Sequence, residues 1–167
     1  WVLQKDTLAN IIDKYVCFDY GEKDSEKKGK KKKKKVAVPH IMKNAKKLIF
    51  PRFHQLDVVT RLLADVAEKG VGERYLIQHS AGSGKSNSLT WLAYQIIDVC
   101  PQTMSAKRAV GLDKKLFDSA IVVTDRRLLD KQITDNIKAF GHSDNIVAHA
   151  DSSTGLKDAI VGGKRII

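Results

Sequence analysis

The sequence predicts an α/β fold in which a parallel sheet carries helices on both faces. Three observations lead to it. Strand-like and helix-like segments alternate four times between residue 75 and residue 167. One of the strand-like segments, Ala120-Ile121-Val122-Val123-Thr124, carries an unbroken β-branched run, Ile121 to Thr124, of the kind buried on both faces of a parallel sheet. The first, Tyr75-Leu76-Ile77-Gln78, runs straight into a glycine-paired turn, His79-Ser80-Ala81-Gly82-Ser83-Gly84-Lys85-Ser86. That pattern predicts right-handed crossovers and a ligand at the carboxyl ends of the strands.

The glycine-paired turn has the chemistry of a phosphate cradle, or P-loop. Gly82 and Gly84 let the backbone curl with no Cβ in the way, so that consecutive N–H groups converge on one anion. Lys85 supplies a point charge for β- and γ-phosphates, and the Ser86 hydroxyl is placed to hold Mg²⁺. Ser80, Ala81, Gly82, Ser83, Gly84, Lys85 and Ser86 are therefore the candidate contacts of ATP, with Ser86 as the candidate metal ligand. Downstream, Leu89, Leu92, Ala93, Ile96 and Ile97 fall on one face of a helix over 86–99, whose positive end meets the phosphates before Pro101 stops it. The first position of the loop is His79, where glycine is usual.

Other elements follow from apolar spacing. Leu8, Ile11, Ile12, Tyr15 and Val16 predict an amphipathic helix over 7–18. Leu56, Val59, Leu63, Val66 and Ala67 predict a helix over 53–67, ended by Gly70 and Gly72. A helix over 129–140 rests on Leu129, Ile133, Ile137 and Phe140, with Gly141 at its end. Ile146-Val147-Ala148 reads as a strand, 156–161 as a short helix, and Arg165 to Ile167 as the start of another strand. The expected organisation is a helical segment over 1–20, a lysine-rich linker over 21–47 and a partial ATPase domain over 48–167.

The 167 residues are enough for one domain with a real core. The formal charge is +11, but residues 27–35 alone hold eight lysines, so the basicity is local. Such a tract reads as a solvated linker, as a nonspecific anchor for a phosphate backbone, or as an import tag. Cys17 and Cys100 stand apart, with neither metal spacing nor a disulfide framework, which fits a reducing cytoplasm. No apolar stretch approaches the roughly 20 residues of a membrane span. The non-methionine start at Trp1 and the strand-like finish at Ile167 read as an excised piece of a longer chain.

Three blocks together resemble a known family. Arg52-Phe53-His54-Gln55 resembles the adenine-reading Gln motif, His79 to Ser86 resembles helicase motif one, and Val122-Val123-Thr124-Asp125-Arg126-Arg127 resembles motif Ia. The combination, His79 included, looks like the motor (R) subunit of type I restriction enzymes, a helicase-like translocase of superfamily two. The likeness runs from about Pro51 to Ile167. It implies a RecA-like ATPase domain that, with a second such domain, pulls duplex DNA past the enzyme at the expense of ATP. It also implies partnership with methyltransferase and specificity subunits. By this resemblance Gln55 would meet the adenine edge with Arg52 nearby, and Thr124, Arg126 and Arg127 would lie along the DNA backbone. Without the resemblance Gln55 reads as a solvent-facing helix residue, and Asp125 as an N-cap ahead of two exposed arginines.

The family pattern also requires an acidic Walker B pair, and the sequence contains no Asp-Glu dipeptide. Asp125 ends an apolar strand, but Arg126 follows it where a general base would stand. The Asp-Glu-Ala-His segment is expected beyond Ile167 and the nuclease domain ahead of this region, so no catalytic residue is assigned within the chain. Two other readings use the same residues: a P-loop kinase or simple ATPase with Asp125 on the metal, and a basic nucleic-acid clip built on the lysine tract.

Overall fold

The computed structural model describes residues 4–19, 47–104, 107, 114–125, 133–134, 136–137, 140 and 145–167. They form a mixed helix and strand structure in two compact units, one ending at Phe50 and one running from Pro51 to Ile167.

In the first unit, α1 (Lys5–Lys14) buries Ile11, with Asp6 in its first turn and Lys14 in its last, each favourable toward the helix dipole. Tyr15 is buried just past its end. The helix stops earlier than its apolar spacing suggests. Cys17–Asp19 instead forms β1, paired antiparallel with β2 (Lys47–Ile49), Cys17 facing Ile49 and Phe18 facing Leu48. A partner almost thirty residues away in sequence outweighs the local helical preference of Val16 to Phe18. The lysine tract lies outside the described residues.

Three helices of the second unit are described along their whole length. α2 (Phe53–Lys69) buries Gln55, Leu56, Val59, Val66 and Ala67. Its carboxyl end is closed from outside the helix: Gln102 N–H donates to the Ala67 carbonyl at 2.8 Å and the Thr103 hydroxyl to that of Glu68 at 2.7 Å. α3 (Lys85–Ile96) packs against α2 and buries Thr90, Trp91 and Ala93. α4 (Ser153–Val161) is capped by the Ser152 hydroxyl, which accepts from Gly155 N–H at 3.1 Å. Of the helix expected over 129–140, Ile133, Thr134, Asn136, Ile137 and Phe140 are described, and all are helical.

Among the described residues the expected parallel sheet is present as a narrow seam. Ile166 makes parallel bridges to Ala120 on one side and Val147 on the other. Around them Ala120 N–H donates to Arg165 O at 2.8 Å, Ile167 N–H to Ala120 O at 3.0 Å, Val122 N–H to Ile167 O at 2.8 Å and Ala148 N–H to Ile166 O at 2.9 Å. The order in space is thus 120–122, then 165–167, then 146–148, with the last segment in the middle. Residues 75–78, expected as the strand leading into the loop, pair with no described segment, and Leu76 is 95% exposed. An extended segment becomes a strand only when a neighbour takes its N–H and C=O groups, and here none among the described residues does so.

The seam is held by the core. Ile166, fully buried, packs with Ala93 of α3, with Ile97 at its C-cap and with Ile133 and Ile137. The Tyr94 hydroxyl donates to Ile137 O at 2.6 Å, and the Trp91 and Phe140 rings meet edge to face at 5.6 Å. At the carboxyl end of α3, Asp98 accepts from Lys115 and from Arg165 (3.2 Å), while Arg165 also donates to the Ile97 carbonyl. One carboxylate therefore joins α3, the 114–116 segment and the central strand.

Two outcomes follow from this core. Ile166→Ala removes a fully buried side chain from the seam and is expected to cost about 2–5 kcal/mol in urea unfolding. The Lys115 hydrogen bond first, and then the Arg165 guanidinium, hold the Asp98 carboxyl below its ordinary value. Its folded-state value is depressed, so its contribution is present above the ordinary carboxylate value and is lost as pH falls through the lower folded-state value. Asp98→Asn should therefore flatten the acid limb of a stability against pH curve, and an unchanged limb would contradict this.

Candidate nucleotide-binding site

The loop between residue 79 and α3 is shaped by its two glycines and by the first turn of α2. Gly82 has φ +74° and Gly84 +82°, a region that strains any residue bearing a Cβ. Gly84 is the N-cap of α3, so the loop flows directly into a helix amino terminus, with Lys85 and Ser86 as its first two residues.

From α2, Gln55 reaches across to this loop. Its Nε2 donates to Gly84 O at 2.9 Å and to Ser83 O at 3.2 Å, while its Oε1 accepts from Arg52 N–H at 2.9 Å. His54 Nε2 lies 3.0 Å from the same Ser83 carbonyl. Gln55 is 3% exposed, so the solvent-facing reading of this residue is wrong: its amide is buried and fully engaged with backbone. The expected meeting of Gln55 with an adenine edge would have to compete with these three bonds. Arg52 contributes its backbone N–H here, and its side chain is exposed.

No described group accepts from the backbone N–H of Gly82, Gly84, Lys85 or Ser86. Lys85 Nζ folds back along the loop, donating to Ser80 O at 2.9 Å and His79 O at 3.1 Å from an exposed position. The Ser86 carbonyl accepts from the Thr90 hydroxyl at 2.9 Å, and the Ser86 hydroxyl has no partner among the described residues. Ser80, Ala81 and Gly82 are exposed, whereas Ser83 is buried, with its hydroxyl unpartnered among the described residues. Free main-chain donors at a helix amino terminus, beside an ammonium group and a free hydroxyl, are the chemistry that suits a polyphosphate and its Mg²⁺.

Of the expected DNA-contact residues, the one that is described, Thr124, falls elsewhere. Thr124 lies half-buried at the carboxyl end of the 120–124 segment, lining a cleft of about 450 Å³ together with Asp125, His149, Asp151 and Ser152. That lining includes none of residues 79–86. Arg126 and Arg127 lie outside the described residues. Among the described residues no group of three or more His, Cys, Asp or Glu side chains could hold a metal, and no helix is long and apolar enough to cross a membrane. Sequence reasoning missed His54 as part of this site. Its only signal was its place next to Gln55 in the first turn of a helix.

The two loop glycines should respond differently to alanine. At Gly84 a Cβ would sit 2.4 Å from Gln55 Nε2, whereas at Gly82 nothing lies within 4 Å. Both substitutions carry backbone strain of about 1–2 kcal/mol, and Gly84→Ala must also displace the Gln55 amide. Gly84→Ala is expected to be the more destabilising in chemical denaturation. Equal losses would mean that Gln55 does not hold the loop.

A family model of the SWI2/SNF2 ATPase matches residues 54–167, well over half of the chain, from His54 through the loop to the central strand. No curated protein and no solved structure matches the chain. The matched span takes in the glycine-paired loop, its α2 latch and the parallel seam, and the chain belongs to the SWI2/SNF2 ATPase family, within the helicase-like ATPases.

Proposed function

We propose that this chain is the ATP-binding part of the motor subunit of a type I restriction enzyme, the subunit that translocates DNA. The observation that carries the reading is the bonding of Gln55 to the Ser83 and Gly84 carbonyls across 28 and 29 residues. Two blocks that define the resemblance thereby act as one unit. The Asp125 segment at the end of the β-branched run and His79 at the head of the loop add to it. On this reading residues 48–167 are part of a RecA-like domain, preceded by a helical segment over 1–20 and a lysine-rich linker over 21–47.

In the proposed site the amides of Gly82, Gly84, Lys85 and Ser86 bind the phosphates, Lys85 leaves the Ser80 and His79 carbonyls to neutralise them, and the Ser86 hydroxyl is the protein's ligand to Mg²⁺. ATP hydrolysis drives movement along DNA in such a motor. This chain orients and holds the nucleotide. Its 167 residues hold no Asp-Glu pair to place a metal-bound carboxylate beside a water-activating one. Duplex DNA would run past Thr124, Arg126 and Arg127, and the methyltransferase and specificity subunits are the proposed partners in a cytoplasmic complex.

Two measurements test this. Titration calorimetry with a non-hydrolysable ATP analogue and Mg²⁺ should detect binding to the 167-residue chain. Lys85→Ala should weaken it at least about tenfold, as expected for loss of a charge-assisted contact of about 1.5–3 kcal/mol, and Lys31→Ala should leave it unchanged. Equal losses in both variants would overturn the site. Steady-state phosphate release with duplex DNA present should stay far below about one per second, the low end of ordinary enzymes. Turnover at that rate would contradict the division of labour proposed here.

A further inference from the structure

We infer that His54 is a positioning residue of the phosphate-binding loop: its imidazole N–H turns the Ser83 carbonyl toward α2 and thereby aims the Gly84 amide at the phosphate. This rests on the reading of residues 79–86 as a nucleotide site.

A trans peptide fixes the C=O of one residue and the N–H of the next in opposite directions. The Ser83 carbonyl is drawn to α2 by two donors, His54 Nε2 at 3.0 Å and Gln55 Nε2 at 3.2 Å. The Gly84 N–H must then point the other way, away from the first turn of α2, where no described group accepts from it. Gln55 does the same for the next peptide, since its 2.9 Å bond to Gly84 O turns the Lys85 N–H outward. A carbonyl oxygen has two lone pairs, so the two side chains saturate Ser83 O without competing. The His54 bond is the shorter of the two and belongs to that carbonyl alone, whereas Gln55 shares its donors between two residues.

The geometry also fixes the chemistry of the ring. A carbonyl can only accept, so Nε2 carries the proton. The ring plane is set by His79, which meets His54 edge to face at 5.1 Å and 89°. The residue at the head of the loop therefore buttresses the side chain that orients its far end. That gives the His79 ring a structural role in a place where glycine would leave His54 unsupported.

The test uses the 167-residue chain with ADP and Mg²⁺. His54→Phe keeps a ring against His79 and removes the donor, while His54→Gln returns a donor of similar reach. His54→Phe is expected to weaken ADP binding about three- to tenfold, the scale of one neutral hydrogen bond, with His54→Gln recovering most of the loss. Without nucleotide, His54→Phe should change amide hydrogen exchange at Gly84 and Lys85, and imidazole ¹⁵N spectra of the unsubstituted chain should show the Nε2–H tautomer. Binding by His54→Phe as tight as that of the unsubstituted chain, while Lys85→Ala has lost it, would overturn the proposal. Should the unsubstituted chain bind no ADP, the nucleotide reading of the loop fails by itself. The two nucleotide-free readouts then decide His54: unaltered exchange, or a proton on Nδ1, counts against the latch.

Discussion

The Ser83 carbonyl is the point on which the site depends. It lies between two positive-φ glycines, in a loop with few backbone bonds of its own, and Ser83 N–H to Ser80 O is a long 3.4 Å. Left to itself, such a turn would sample many peptide orientations, since glycine resists none of them. The first turn of α2 removes that freedom. Once the carbonyls of Ser83 and Gly84 face α2, the intervening donors face outward as a set, and α3 begins at the next residue with its own unpaired amides. In the proposed site such a surface would be preorganised, leaving little ordering to be done on binding phosphates.

The rest of the unit keeps α2 and α3 in the register this requires. α3 is anchored at its far end by Asp98, Lys115 and Arg165 and along its length by Ile166, the buried centre of the parallel seam. α2 packs on α3 and is closed at its own far end by Gln102 and Thr103. Each helix is thus held at the end remote from the loop, and their amino termini converge where the loop passes between them. The cleft at the carboxyl ends of the seam, with Thr124 and Ser152 in its wall, is a concave surface on the same unit. Its position agrees with the rule that parallel sheets present ligands at the carboxyl ends of their strands.

Much of this was legible in the sequence because it is local. The positive-φ turn at Gly82 and Gly84 and the helix that starts at Lys85 follow from local sequence, and the apolar stripe of α2 marks its buried face and its ends to within two residues, whereas α3 stops three residues short of the expected 99 and buries Thr90 and Trp91 outside the expected stripe. What could not be read depended on partners far along the chain. Gln55 looks like a surface residue until the loop 28 residues later covers it, and His54 gives no sign of its carbonyl. The helix expected to reach Phe18 ends early because Cys17–Asp19 pairs with Lys47–Ile49, a contact periodicity cannot report. Residues 75–78 have a strand's composition, yet composition does not supply the neighbour that makes a strand.

The proposed function requires the amides of the glycine-paired loop to bind the phosphates of a nucleotide. The most direct measurement is a crystal structure of the chain with an ATP analogue and Mg²⁺. Phosphate oxygens are expected within hydrogen-bond distance of the Gly84, Lys85 and Ser86 nitrogens, with Ser83 O still turned to His54 and Gln55. A nucleotide bound elsewhere, or a loop whose Ser83 carbonyl has flipped toward the anion, would contradict it.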